Sequence, residues 1–419
     1  MQNKYKTLLI MAVAFFLGYL PWYNYSAVVK YISEEFGLTS SDTGMILSIF
    51  QLGYVIVVIL TGKMADKVGP KKVIAWATLM CGISSVLFVF FAKGLISILV
   101  FRLLTGMSSG AIYVPGMSLL SNWFPPNERG MAVGAYTGAS TLSYAGGYFI
   151  ASPIAAAYGW QAGIIATSIP AFLGAFLIFA FIHDRPLEAG LRFDGKSGLS
   201  FQGAPAMPAP EGGFAGPILI TSAYMGHMWE LFAFWGWIGP FMTAVVLQAG
   251  MDASFGGLLA ALIVLVGAPS VFLMGSFADK IGRTKAIIIS ATFSLVPHLF
   301  FGYMYGLPVA AVMAAGIWIG FWVTGDSASY KAGLTEMISE DIRGTALGIQ
   351  SAVGYSMTIL APLVFGKVLD MLNPGISTIE ATRWGPCFMI LAAGALLAPT
   401  FALILRRNPQ AVLMTGGKK

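Results

Sequence analysis

The chain alternates between long apolar runs and short polar interruptions. Twelve runs reach the roughly 20 mostly apolar residues that a membrane-spanning helix needs. They centre near Leu17, Val55, Val86, Gly106, Leu142 and Ile169, and then near Trp229, Val266, Phe293, Trp318, Met357 and Gly394. One longer polar stretch, 183–213, is rich in Pro and Gly and too poor in apolar residues to bury a core, so it reads as a linker. The pattern predicts an all-α membrane protein in which residues 1–182 and 214–419 each form a six-helix bundle.

The polar interruptions repeat. Gly62 to Lys72 reads GKMADKVGPKK, and Gly275 to Lys285 reads GSFADKIGRTK, the same frame displaced by 213 residues. Arg129 to Gly134 (RGMAVG) returns as Arg343 to Gly348 (RGTALG), displaced by 214. Two matches at nearly one offset, about half the chain, mark an internal duplication and hence two pseudo-symmetric halves.

Composition agrees: 57% of residues are hydrophobic and 10% charged, with a mean hydropathy of +0.78, against about 25% charged in soluble domains. The net charge of +6 does not point to nucleic acid, because in a membrane protein the placement of charge matters more than its sum. Of the 24 Lys and Arg, only Lys30, Lys93, Lys367 and Arg383 fall on one side of the twelve spans, and only Arg102 and Lys331 lie within spans. The rest flank the other side, which places both termini and the linker in the cytoplasm by the positive-inside rule, in a plasma or bacterial inner membrane. The first run, about 7–29, has no small-residue cleavage site and reads as a retained helix. Cys81 and Cys387 sit inside apolar runs, and His183, His227 and His298 are scattered, so no disulfide framework, metal site or cofactor is expected. No Gly-rich loop precedes a Lys-Ser or Lys-Thr, which argues against an ATP-driven pump or another enzyme.

Twelve spans in two homologous halves, with Gly-x-x-x-Asp-Lys-x-Gly after spans 2 and 8, resemble the major facilitator superfamily of secondary transporters. The resemblance covers essentially the whole chain. Arg102 with Gly106 and Gly110 is similar to the family's motif on helix 4, and Asn122 to Gly130 (NWFPPNERG) to the following loop in its anion-transporting branches. Pro70 replaces the basic residue usual after the motif's second Gly, and span 5 lacks the Gly-Pro dipeptide of antiporters. The resemblance implies a major facilitator fold, alternating access, and a cavity lined by helices 1, 4, 7 and 10. It also implies a conformational latch in the doubled loop: Gly62, Asp66, Lys67 and Gly69 with Arg129, and Gly275, Asp279, Lys280 and Gly282 with Arg343. Asp66 and Asp279 are placed to dock on a helix N-terminus, with helices starting near Gly130 and Gly344 as candidates.

An ionisable side chain at the bilayer centre costs about 2.5–3.5 kcal/mol on insertion scales, so each one calls for a partner or a function. Arg102 lies about 12 Å inside its span by helical rise, on a face with Gly106, Ser109 and Tyr113. It either caps carbonyls of a neighbouring helix or attracts an anion. On span 7, His227 and Glu230 are side by side, and the rings of Trp229, Phe234 and Trp235 give Glu230 surroundings suited to loading and releasing a proton. On span 10, Asp326 shares a face with Tyr330, while Lys331 turns about 140° away and lies near enough to the cytoplasmic end to snorkel out. Tyr23, with Tyr19 and Ser26, lines span 1.

Together these residues predict a monomeric secondary transporter that moves a small organic anion with protons in symport. Arg102 attracts the carboxylate, Glu230 and His227 carry the proton, and Asp326, Tyr113, Tyr330 and Tyr23 complete the site. Export of organic cations by proton antiport, favoured by acids among aromatic rings, and a non-transporting sensor or scaffold remain as alternatives.

Overall fold

A computed structural model describes residues 4–124, 126–184, 213–339 and 342–418. Within its helices, positions 59, 62, 63, 66, 126, 127, 129, 130, 133 and 343–345 are described by their backbone alone. The side chains of Asp66, Arg129 and Arg343, the surroundings of Gly62, and nearly all of the linker therefore lie outside the described residues.

Helices build all of the regular structure among the described residues. In the first half they are α1 (Lys4–Tyr19 and Asn24–Phe36), α2 (Ser40–Val68), α3 (Pro70–Phe91), α4 (Leu95–Gly110 and Tyr113–Trp123), α5 (Pro126–Tyr158) and α6 (Trp160–Phe181). In the second they are α7 (Ala215–Gln248), α8 (Ser254–Leu265 and Gly267–Ile281), α9 (Arg283–Phe301), α10 (Val309–Gly325 and Ser327–Glu336), α11 (Arg343–Leu372) and α12 (Gly385–Ala395 and Leu397–Arg407). Eleven are long and apolar enough to cross a membrane, and α5, with 33 residues, makes the twelfth. The twelve apolar runs of the sequence thus become the twelve helices of a major facilitator fold.

Two compact units emerge. Unit 1 holds α1, α3 to α6, α2 from Ile49 onward and the short segment Ala253–Ala261 at the start of α8; unit 2 holds Thr39–Ser48, which leads into and begins α2, then α7, α8 from Leu262 onward and α9 to α12. Each is pulled tight by the same device. A Cβ at Gly106 would overlap the carbonyl of Phe50, where α4 crosses α2, and a Cβ at Gly320 would overlap the carbonyl of Ile263, where α10 crosses α8. Small residues at such crossings let helix backbones touch inside a membrane.

The doubled loop also has one physical explanation in both units. Gly69 and Gly282 take φ of 89° and 101° and start α3 and α9, a left-handed turn that glycine adopts without the steric cost of a Cβ. Their amides close the preceding helices on Ala65 and Ala278, at 2.9 Å each. Pro70, the departure from the family pattern, occupies the first turn of α3, where a missing N–H costs nothing.

Several helices are broken. Pro21 has no amide hydrogen to give, and α1 stops at Tyr19 and resumes at Asn24. α4 breaks at Ala111 and Ile112, and α10 at Asp326. Irregular backbone is tolerated at membrane depth only where protein or a cavity satisfies it, so these breaks are where polar chemistry gathers.

Candidate functional site

In unit 1 the break in α1 recruits Arg102. Its two terminal nitrogens donate to the carbonyls of Pro21 (3.1 Å) and Trp22 (3.0 Å), and one of them also to Asn24 Oδ1 (3.3 Å). These carbonyls lie in the non-helical turn that Pro21 starts. The guanidinium is stacked 4.5 Å from the ring centre of Phe50 and 5.7 Å from that of Tyr25, and Arg102 is 3% exposed. Asn24 in turn donates to Thr167 Oγ1 at 3.1 Å. Of the two roles open to Arg102 in the sequence, this is the geometry of the carbonyl cap.

The polar stripe expected along α4 stops at Ser109. The break at Ala111 and Ile112 turns Tyr113 away, so that its hydroxyl meets Thr137 Oγ1 on α5 at 3.0 Å and its ring stacks on Tyr136 and Phe15. Tyr23 is buried at the α1 break, stacked on Tyr148 and edge-on to Tyr144.

Among the described residues, the buried carboxyls and imidazoles all lie in unit 2. His227 and Glu230 leave α7 one turn apart but reach different helices. His227 Nδ1 lies 2.9 Å from Asp326 Oδ1, and its Nε2 meets Ser327 Oγ at 3.0 Å, both at the α10 break. The Tyr330 hydroxyl donates to Asp326 Oδ2 at 2.5 Å, as their shared face predicts. Glu230 turns instead to α9, where Ser294 Oγ donates to its Oε2 (3.2 Å) and His298 Nδ1 lies 2.9 Å from its Oε1. His298 Nδ1 is also 2.9 Å from the Ser294 carbonyl. A carbonyl accepts only, so that nitrogen carries a hydrogen. The bond is aligned with the carbonyl, and Glu230 Oε1, His298 Nε2 and, facing His227, Asp326 Oδ1 are all without a well-aligned partner among the described residues. His227, Glu230, Asp326, Tyr330 and His298 are each at most 2% exposed as residues.

Each carboxyl in this core is thus paired with an imidazole from another helix, the arrangement that makes a buried ionisable group tolerable. The sequence singled out His227, Glu230, Asp326 and Tyr330 but not the partnership of Glu230 with His298. The available signal was Ser294 and His298, four residues apart and so on one helix face.

In the second copy of the doubled loop the described charges pair within unit 2. Asp279 pairs with Arg283 at 2.6 Å, and Arg283 with Glu336 at 3.0 Å. The carboxylate that docks on the N-terminus of α3 is Asp184, which accepts the Lys71 amide at 2.6 Å beside Gly69. Lys67 and Lys280 are exposed, and Gly275 is half-buried. No cluster of metal ligands occurs among the described residues.

Comparison with known proteins agrees with this architecture. A probable sulfoacetate transporter of Cupriavidus necator is 27% identical over 386 residues, 88% of either chain. A hexuronate transporter of Bacillus subtilis is 22% identical over 383 residues, 88% of this chain and 89% of its own. Among solved structures, a bacterial homologue of the human lysosomal transporter Spinster, in an inward-facing and occupied conformation, superimposes with a TM-score of 0.79 at 15% identity, covering 97% of this chain and 98% of its own. The family model for the Major Facilitator Superfamily matches residues 11–236. With its duplicated six-helix pattern, its crossing glycines and ionisable residues held inside the spans, the chain belongs to that superfamily and is a multi-pass membrane transporter rather than an enzyme.

Proposed function

We propose that the protein carries a small organic acid across the membrane together with protons, by alternating access and in symport. The names of the sulfoacetate and hexuronate transporters to which it is similar support the acid. The observation that carries the coupling is Glu230, 2% exposed in a spanning helix, with one carboxyl oxygen beside His298 but not aligned with its N–H. A buried carboxyl flanked by an imidazole and a hydroxyl has neighbours with which to exchange a proton. His298 on one side and the His227–Asp326 pair one helical turn along α7 give the proton neighbouring sites.

Asp326 and Tyr330 flank the break in α10, and discontinuous helices are where such transporters build ligand sites. Export of organic cations is less well supported, because Glu230 and Asp326 already face imidazoles and hydroxyls. The distribution of Lys and Arg supports a topology with both termini in the cytoplasm, and the bacterial transporters to which the chain is similar support an inner-membrane location. Uptake into proteoliposomes tests the reading. Sulfoacetate or glucuronate should enter faster when the outside is acidic, whereas lipophilic cations should not compete; acid uptake indifferent to the gradient removes the coupling.

A further inference from the structure

We propose that Lys331 is the residue that binds the anionic group of the transported acid, an inference that rests on the organic-acid reading above. Two cations lie within the spans, and Arg102 is committed to the α1 break through three hydrogen bonds and two aromatic faces. Lys331 is exposed, and no carboxylate lies within ion-pair distance of it among the described residues.

Its direction differs from the snorkelling expected of it. The ammonium donates to Ser351 Oγ on α11 at 3.0 Å and lies 5.2 Å from the ring centre of Tyr224 on α7. Tyr224 is nine residues past Ala215 and Ser351 eight past Arg343, so the ammonium lies about 12 Å inside the ends of both helices by helical rise. Side chains lean towards the N-terminus of their helix, which carries Lys331 away from the nearby end of α10 at Glu336 and deeper into the unit. A lysine seeking the surface would run the other way.

The chemistry suits a carboxylate or sulfonate. An ammonium has three donors; Ser351 uses one, leaving two for anionic oxygens. The face of Tyr224 supports the cation, and the same ring is 6.0 Å from that of His227 and 5.5 Å from that of Tyr330. Acid bound at Lys331 is therefore one aromatic ring away from the His227–Asp326 pair.

The test measures binding of sulfoacetate and glucuronate to the purified full chain by intrinsic tryptophan fluorescence. Lys331→Gln should weaken binding at least about tenfold, the loss expected for a charge-assisted hydrogen bond, with an unchanged unfolding temperature. Lys331→Cys supplies the second arm, since Cys81 and Cys387 are both buried. Attaching an ethylammonium to the new thiol by a methanethiosulfonate reagent should restore binding, whereas attaching an ethylsulfonate should not. Wild-type protein that binds an acid while Lys331→Gln binds it equally well overturns the assignment alone, as does equal rescue by both reagents. Wild-type protein that binds neither acid overturns the organic-acid reading and the assignment with it.

Discussion

The breaks in α4 and α10 occupy equivalent places in the duplicated chain, since Tyr113 and Asp326 are 213 residues apart, yet they hold different chemistry. At the α4 break a neutral phenol meets a threonine hydroxyl among stacked rings. At the α10 break a carboxylate gathers an imidazole, a phenol and, through His227, a serine. The cations diverge in the same way. Unit 1 spends Arg102 on its own backbone, whereas unit 2 leaves Lys331 exposed. Duplication supplied two similar frames, held by glycines at matching helix crossings; among the described residues the buried carboxyls and imidazoles lie in the second.

Substitutions at these places can break the contrast. Asp326→Ala, which strands His227 in the core, should have the largest effect, a loss of about 3–5 kcal/mol for breaking a buried pair, seen as a lower unfolding temperature in detergent and absent uptake. Arg102→Gln should come next, because the carbonyls of Pro21 and Trp22 each lose a hydrogen bond worth about 0.5–1.5 kcal/mol net. Protein that survives should bind acid as the wild type does; weakened binding at full stability would move Arg102 into the substrate site. Gly106→Ala and Gly320→Ala should each cost about 1–3 kcal/mol by overpacking, and similar falls in unfolding temperature would show that the two crossings bear equivalent loads. Tyr113→Phe removes one hydrogen bond worth about 0.5–1.5 kcal/mol and should leave uptake close to wild type. Loss of uptake there as complete as in Asp326→Ala would erase the distinction between the breaks.

The frame was legible in the sequence because apolar length and repeated loops are properties of the chain itself. Twelve runs became twelve helices, and the glycines at 69 and 282 fell at the same left-handed turn. Partnerships within the spans were less legible, since they depend on how helices cross. His227 and Glu230 look like a pair along α7, but their side chains diverge, one towards Asp326 on α10 and the other towards His298 on α9. Arg102 is explained only by Pro21, 81 residues away, whose turn presents the carbonyls that the guanidinium caps. The sense of Lys331 required knowing that Tyr224 and Ser351 come close to one another beside α10.

Coupling of acid movement to protons through Glu230 is decided by Glu230→Gln in proteoliposomes. The amide preserves shape and most hydrogen bonding but cannot exchange a proton. The variant should exchange labelled acid across the membrane at near wild-type rates in the absence of a gradient, while an inward proton gradient no longer accelerates its uptake. A variant that responds to the gradient as the wild type does would contradict that coupling.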